Sequence, residues 1–358
     1  MSKHQSFAPI GVLPRRIVHL ARSLPPVSVR NAWFKTKYSL GIPTRSDRSY
    51  LVRAMADALD QGMIGPQCHI MAHGRADGAG AQAMSRMSAI SLARHYGLKY
   101  VHAPFRSIDH AECEPRTWAT RWEALLNLGK GELQIEACTH LPLIDIEDFM
   151  ANREWWTRPC VVGAGHFVRF TDRNPAAYLS ATPDFQRKYA GGTGRPRHVS
   201  SIVVAVHVRR GDVSLGDPET SHRAANLRDL QVVIEQVQAT IHGLGLRSQV
   251  KVFSQGSPHG LEELEDLGCE IHLNTSAISA FRDLVDADVL LMGRSSFSFT
   301  AALISKGLKI YSQFARAPVP GWLTPEADGR IGDLTLRRKI AECATARGFF
   351  AQNCVSHH

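Results

Sequence analysis

The sequence predicts an α/β protein of two Rossmann-like domains facing each other across a cleft. Three observations carry that prediction. Short apolar strands alternate with helical spacings along most of the 358 residues, the pattern of a parallel sheet covered on both faces. A Gly-, Pro- and Arg-rich stretch at residues 190–198 splits the series in two. Each half begins with a strand, a glycine-rich or basic loop and a helix, and the chain is long enough for two separate cores. The expected units are a basic N-terminal arm (1–60), an N-terminal α/β domain (61–195), a C-terminal Rossmann-like domain (196–325), and a final helix and tail (326–358).

In the first half Cys68–Met71 reads as a short apolar strand, followed by the glycine-rich turn Gly74 to Gly80. Residues 81–96 then show helical spacing, with Met84, Met87, Ile90 and Leu92 on one side. Lys99–Val101 is the next strand, 117–128 a helix, and Pro159–Val162 a strand leading into the turn Gly163-Ala164-Gly165-His166. In the second half Ile202–Val206 is continuously apolar, as a parallel strand buried on both faces should be. Leu227, Leu230, Ile234, Val237, Ile241 and Leu244 step by three and four and mark a helix with one apolar stripe. Lys251–Phe253, Cys269–His272, Val289–Met292 and Lys309–Tyr311 are further strands, with helices at 260–267, 276–285 and 297–305.

Composition narrows the class. Hydrophobic residues make up 44% and charged residues 21%, ordinary values for a soluble globular protein. No apolar run has the length of a membrane span, and Met1–Ile10 lacks the pattern of a secretory signal. The seven cysteines form no CxxC pair, which points to reduced thiols in a cytoplasmic enzyme rather than a disulfide scaffold or a zinc site. The net charge is +9, and residues 1–50 hold nine Lys or Arg against the single acid Asp47. The remainder is close to neutral, which argues against a nucleic-acid partner. The arm suits peripheral contact with an anionic membrane surface or an acidic acceptor; it also reads as a solvated leader.

Three motifs carry chemistry. The first is His207-Val208-Arg209-Arg210-Gly211-Asp212, directly after the most apolar strand. Ligands of open α/β sheets bind at the carboxyl ends of strands, and adjacent arginines offer forked donors to phosphate oxygens. The plainer alternative is a surface ion-pair cluster, worth little to stability. The second motif is Asp77-Gly78-Ala79-Gly80-Ala81-Gln82-Ala83, where amides at a helix start and small glycines admit an anion; a turn kept small only for helix packing fits as well. The third is Asp286–Thr300, in which a strand ends in the turn Gly293-Arg294-Ser295-Ser296 and a helix begins. It either presents hydroxyls and amides to a phosphate or simply caps a helix.

Other chemistries lack their signatures. His69 and His73 have no HExxH-like spacing, and Asp286-Ala287-Asp288 reads as a helix end entering a strand rather than a metal-binding pair. There is neither a GxSxG elbow nor a GxxxxGK[ST] loop. A nicotinamide-linked oxidoreductase would need an acid after the second strand for the ribose, where Tyr100-Val101-His102-Ala103 stands instead.

The three motifs together resemble the fucosyltransferase superfamily of α1,6-fucosyltransferases, nodulation fucosyltransferases and protein O-fucosyltransferases. The likeness spans roughly residues 68–312 and is most specific at His207–Asp212 and Asp288–Thr300. It implies a GT-B-like fold and transfer of fucose from GDP-fucose to a glycan or glycoconjugate hydroxyl, with inversion and without a metal. By the same resemblance Arg209 grips the diphosphate, His207 touches the nucleotide, and Arg210 and Asp212 complete the loop. Gly78, Gly80 and Gln82 match the family's loop in the other domain, and Ser295 and Ser296, with Ser298 nearby, match its serine pair at the phosphates. Asp217, eight residues past Arg209, stands where one branch has a glutamate proposed as base, with Glu219 close by. Where that branch reads guanine with an aspartate this chain has Ala280, and Asp283 is the nearest acid. Two other readings remain beside this one: an NAD-linked oxidoreductase, and a non-catalytic glycan- or polyanion-binding protein on the same fold.

Overall fold

The computed structural model describes residues 49–190, 201–210, 226–314 and 316–349. It contains two five-stranded, all-parallel sheets. The first comprises β1 (Cys68–Ala72), β2 (Lys99–His102), β3 (Leu133–Gln134), β4 (Leu143–Asp145) and β5 (Cys160–Ala164), in the order β3-β2-β1-β5-β4. The second comprises β6 (Ile202–His207), β7 (Ser248–Ser254), β8 (Glu270–Leu273), β9 (Val289–Leu291) and β10 (Leu308–Ile310), in the order β10-β9-β6-β7-β8. Each sheet reverses its winding beside its first strand, between β1 and β5 and between β6 and β9. Such switch points open a crevice at the strands' carboxyl ends. The two domains face each other across a cleft, the GT-B-like arrangement expected from the sequence.

Helix α1 (Ser49–Asp60) precedes the first sheet and α2 (Ala79–His95) follows β1. The sequence assigns residues 49–60 to the basic arm. Here they form an amphipathic helix whose Leu51, Val52 and Met55 are buried in the first domain's core. The arm before residue 49 and the linker at 191–198 lie outside the described residues. Helix α2 differs from its expected one-sided pattern, because its polar positions are buried too. They are satisfied locally: Ser88 Oγ donates to Met84 O (2.7 Å), Ser91 Oγ to Met87 O (2.8 Å) and Ser85 Oγ to Gly165 O (2.8 Å). The Arg86 guanidinium lies 4.0 Å from the Phe105 ring centroid and bonds the carbonyls of Gln82, Ala103 and Pro104. Buried polar groups paired in this way are tolerated in a core.

The first domain continues with α3 (Pro115–Leu126), α4 (Ile146–Ala151), α5 (Val168–Arg173) and α6 (Ala177–Lys188). The second has α7 (Leu227–His242), α8 (Glu262–Asp266), α9 (Ala277–Asp286), α10 (Ser296–Ile304) and α11 (Asp333–Ala346). One apolar core runs through both domains, joining α2, α3 and α6 to α9 and α10. A separate core fills the outer face of the second sheet beneath α7 and α11. The domains therefore meet through buried side chains as well as across open space.

Candidate functional site

A cleft of about 420 Å³ lies between the carboxyl ends of the two sheets. From the second domain it is lined by the end of β6 and the start of α10. Val208 N–H donates to Phe253 O (3.0 Å) and Val208 O accepts from Ser254 Oγ (3.0 Å), which fixes the chain leaving β6 to its neighbour. The next two side chains are then aimed into the cleft. Arg209 Nη1 donates to Ser295 Oγ (3.3 Å), and Ser295 is itself the N-cap of α10, accepting from Phe297 N–H (3.2 Å). Ser295 thus caps the helix, one of the two readings of the serine turn, and its hydroxyl also holds an arginine. Ser296 lines the cleft beside it. Arg210 donates through Nη2 to His259 O (2.7 Å), while its buried Nη1 has no partner.

His207 ends β6 with its ring 5.4 Å from that of Phe297. Burial, aided by the charge of Arg209, pushes its pKa down to about 3, so the ring is neutral at physiological pH. Its Nδ1 is buried and unpartnered. Gly293 makes this packing feasible, since a Cβ there would sit 2.5 Å from His207 O and 2.8 Å from Nδ1.

The first domain's loop behaves differently. Asp77 is gripped by Arg75, whose Nε lies 3.0 and 3.1 Å from the two carboxylate oxygens. Arg75 Nη1 also reaches His166 Nδ1 (3.2 Å), tying the loop after β1 to the loop after β5. Gly78 is the N-cap of α2, with open space where a Cβ would point. At Gly80 a Cβ would lie 2.6 Å from Phe297 N and Cα. The close approach that this glycine permits is therefore by the backbone of α10. Thr300 Oγ1 completes the contact by donating to Gly80 O (2.9 Å).

Three expected donor-binding side chains do not line the cleft. Gln82 is buried and donates to the carbonyls of Asp77 (2.7 Å) and Ser107 (2.6 Å), so it braces the glycine turn from behind. Ser298 is buried and donates to Gly293 O (3.1 Å). Asp283 lies near Tyr189, whose pKa is raised by burial first and then by the carboxylates of Asp286 and Asp283. The face that α9 turns to the cleft is Ala277 and Ala280. Asp212, Asp217 and Glu219 lie outside the described residues.

Other cleft residues escaped the sequence reading. Arg294 was inside a recognised motif but received no role. Arg316 has no local signal; its Nη1 donates to Asp172 of α5 (2.5 Å) across the domain boundary. Trp118 and Trp122, one turn apart on α3, reach the cleft through a spacing that marks an ordinary core stripe. Among the described residues no group of three His, Cys, Asp or Glu is placed to hold a metal ion, and no helix is long and apolar enough to cross a membrane.

No known family profile matches the chain, and no curated protein matches it in sequence. Solved structures give distant likenesses. Fucosyltransferase NodZ from Bradyrhizobium is 14% identical over 74% of this chain and 97% of its own, with a TM-score of 0.35. The glycosyl transferase family 9 protein from Veillonella parvula is 8% identical over 78% and 96%, with a TM-score of 0.35. The E. coli heptosyltransferase WaaC, crystallised with ADP-2-deoxy-2-fluoro heptose, is 12% identical over 80% and 99%, with a TM-score of 0.33. At such identities and scores, function has to be read from the site itself.

Proposed function

We propose that this protein is a glycosyltransferase that moves a sugar from a nucleoside-diphosphate donor to a glycan or glycoconjugate hydroxyl. The observation that carries the reading is the Arg209–Ser295 pair at the capped start of α10, beside Arg210. It sets a forked cation beside a helix N-terminus at a switch point, a combination suited to a departing diphosphate. GDP-fucose is the first donor to test, on the resemblance of the His207–Asp212 and Ser295–Ser296 motifs. The acceptor hydroxyl attacks the anomeric carbon from the face away from the nucleotide, inverting it. The anomeric bond to the diphosphate breaks, and Arg209 with the α10 amides meets the charge that develops on the leaving oxygen. A carboxylate at Asp217 or Glu219 takes the acceptor's proton.

The test is a panel of nucleotide sugars scored for hydrolysis and transfer, together with ligand-induced melting. Turnover of at least one donor, and stabilisation by its nucleoside diphosphate, is the expected result; activity should persist in EDTA. Stabilisation by NADH alone would favour an oxidoreductase. Binding of saccharides without turnover of any donor would make the chain a glycan-binding protein. Strict dependence on added manganese or magnesium would require another mechanism.

A further inference from the structure

One carboxylate on the first domain serves two arginines, and one of them reaches it from the second domain. Asp172, on α5, accepts from Arg316 Nη1 (2.5 Å) and lies 3.5 Å from Arg169 Nη1. Among the described residues neither arginine has a second carboxylate, so two guanidiniums share one countercharge. The backbone at Arg316 is fastened: Tyr311 Oη, just past β10, accepts from Phe314 N–H (3.0 Å) and donates to Arg316 O (2.5 Å). The Arg316 side chain lines the cleft and is 18% exposed. Its Nη1 is bonded and its Nε is buried, whereas Nη2 has no partner among the described residues and is not buried. Arg75, also on the cleft wall, reaches the loop before α5 through His166 Nδ1 (3.2 Å) but is balanced by Asp77. The surplus charge thus stands over α5, the helix that follows β5 where the first sheet reverses its winding.

We propose that this corner seats an anion of the acceptor: the hydroxyl that receives the sugar belongs to an acidic glycan or glycoconjugate, and Arg316 binds its carboxylate or sulfate through Nη2. The inference rests on the nucleotide-sugar reading given above and adds the chemical class of the acceptor. That reading assigns the diphosphate to Arg209 and the start of α10, both in the second domain. The acceptor then lies toward the first domain, to which Arg316 is tied. A guanidinium that gives one nitrogen to a carboxylate can still offer the other to a second anion. A surplus charge sheltered in a concave wall attracts anions more strongly than one on an open surface. An anion there supplies the countercharge that Asp172 otherwise divides between two arginines. A plain tie between domains accounts for the bond to Asp172 but leaves that surplus unexplained.

The experiment uses acidic oligosaccharides, uronate-containing and sulfated, each beside its uncharged counterpart, the methyl ester or the desulfated sugar. Binding and acceptor turnover are measured for the wild-type protein, Arg316→Gln and Arg316→Lys. Binding of nucleoside diphosphates and hydrolysis of nucleotide sugars are scored alongside. At least one acidic saccharide should bind the wild type about tenfold or more tightly than its uncharged form, the weight of a charged hydrogen bond. Which pair shows the preference tells carboxylate from sulfate. Arg316→Gln should cut it to about twofold or less and raise the KM for the acidic acceptor, with nucleoside diphosphate affinity held within about twofold. Arg316→Lys keeps the charge beside Asp172 and should recover part of the preference. A wild type that binds no acidic saccharide better than its uncharged form would overturn the proposal and leave the transferase reading in place. Loss of nucleoside diphosphate affinity in Arg316→Gln would put the residue with the donor phosphates and overturn it likewise. An equal loss for acidic and uncharged acceptors would reduce Arg316 to a tie between domains. Failure of every nucleotide to bind, with no donor turned over, would remove the transferase reading and this inference together. The comparison of charged and uncharged saccharides needs only wild-type protein and stands even if a variant does not fold.

Discussion

The two loops that face each other across the cleft have the same place in their sheets and opposite chemistry. After β1 the polar side chains satisfy one another: Arg75 holds Asp77, Gln82 holds the carbonyls of Asp77 and Ser107, and Arg75 reaches His166. After β6 and β9 the arginines line the cleft, with Arg209 donating to a cap hydroxyl and Arg210 holding a buried Nη1 that has no acceptor. A loop whose hydrogen bonds close internally holds its own shape, whereas Arg210 Nη1 leaves one donor unmet beside the cleft.

The sharpest way to break that comparison is Arg209→Lys. Lysine keeps the charge and loses the fork. Transfer should fall by about a hundredfold or more, as for loss of one preorganised donor, with the melting temperature unchanged. Normal turnover and normal nucleotide affinity would put the binding function elsewhere. Next comes Gly80→Ala. Its Cβ would meet the backbone at Phe297, so stability and activity should fall together, by about 1–3 kcal/mol of unfolding free energy in denaturant melts. Loss of activity in a variant as stable as the wild type would instead make this glycine a ligand contact.

Gln82→Ala should also act on stability, by about 1–2 kcal/mol, because it removes the buried amide that bonds the carbonyls of Asp77 and Ser107. Nucleotide affinity should hold within about twofold; a collapse of affinity in a stable variant would return Gln82 to the donor site. The smallest effect concerns His207. An unfolded histidine titrates near 6.5 and this one near 3, so folding favours its neutral form. Its contribution to stability is complete above pH 6.5 and is lost as pH falls from 6.5 toward 3. Denaturant melts at pH 7 and pH 4.5 should show a smaller acid loss for His207→Gln than for the wild type. An equal loss in both would mean that His207 is solvated in the folded state.

What could be read from the sequence divides along similar lines. β6, β9 and the helix stripe of α7 were legible because their periodicity is set by burial on known faces. β3 and β4, of two and three residues, are too short to leave a period. Helix α6 contains Pro183, a residue that normally signals a break. At the site, Arg209, Arg210, His207, Ser295 and Ser296 were found because they cluster at one strand end or the next. Gln82 and Ser298 fell in the same motifs, yet their side chains turn back onto nearby carbonyls, a direction that spacing cannot reveal. Arg316 and Trp118 reach the cleft from remote or seemingly ordinary core positions, so only the assembled domains bring them there.

The contact between Gly80 and Phe297 has a mechanical consequence. Backbone rests on backbone there, with Thr300 bonded across the same point, so no flexible side chain can absorb a sliding displacement. Rocking about that fulcrum costs least, and the far rim of the cleft then travels through the longest arc while the two helix starts stay together. A small angular change would widen the mouth of the cleft while Gly80 and Phe297 stay in contact.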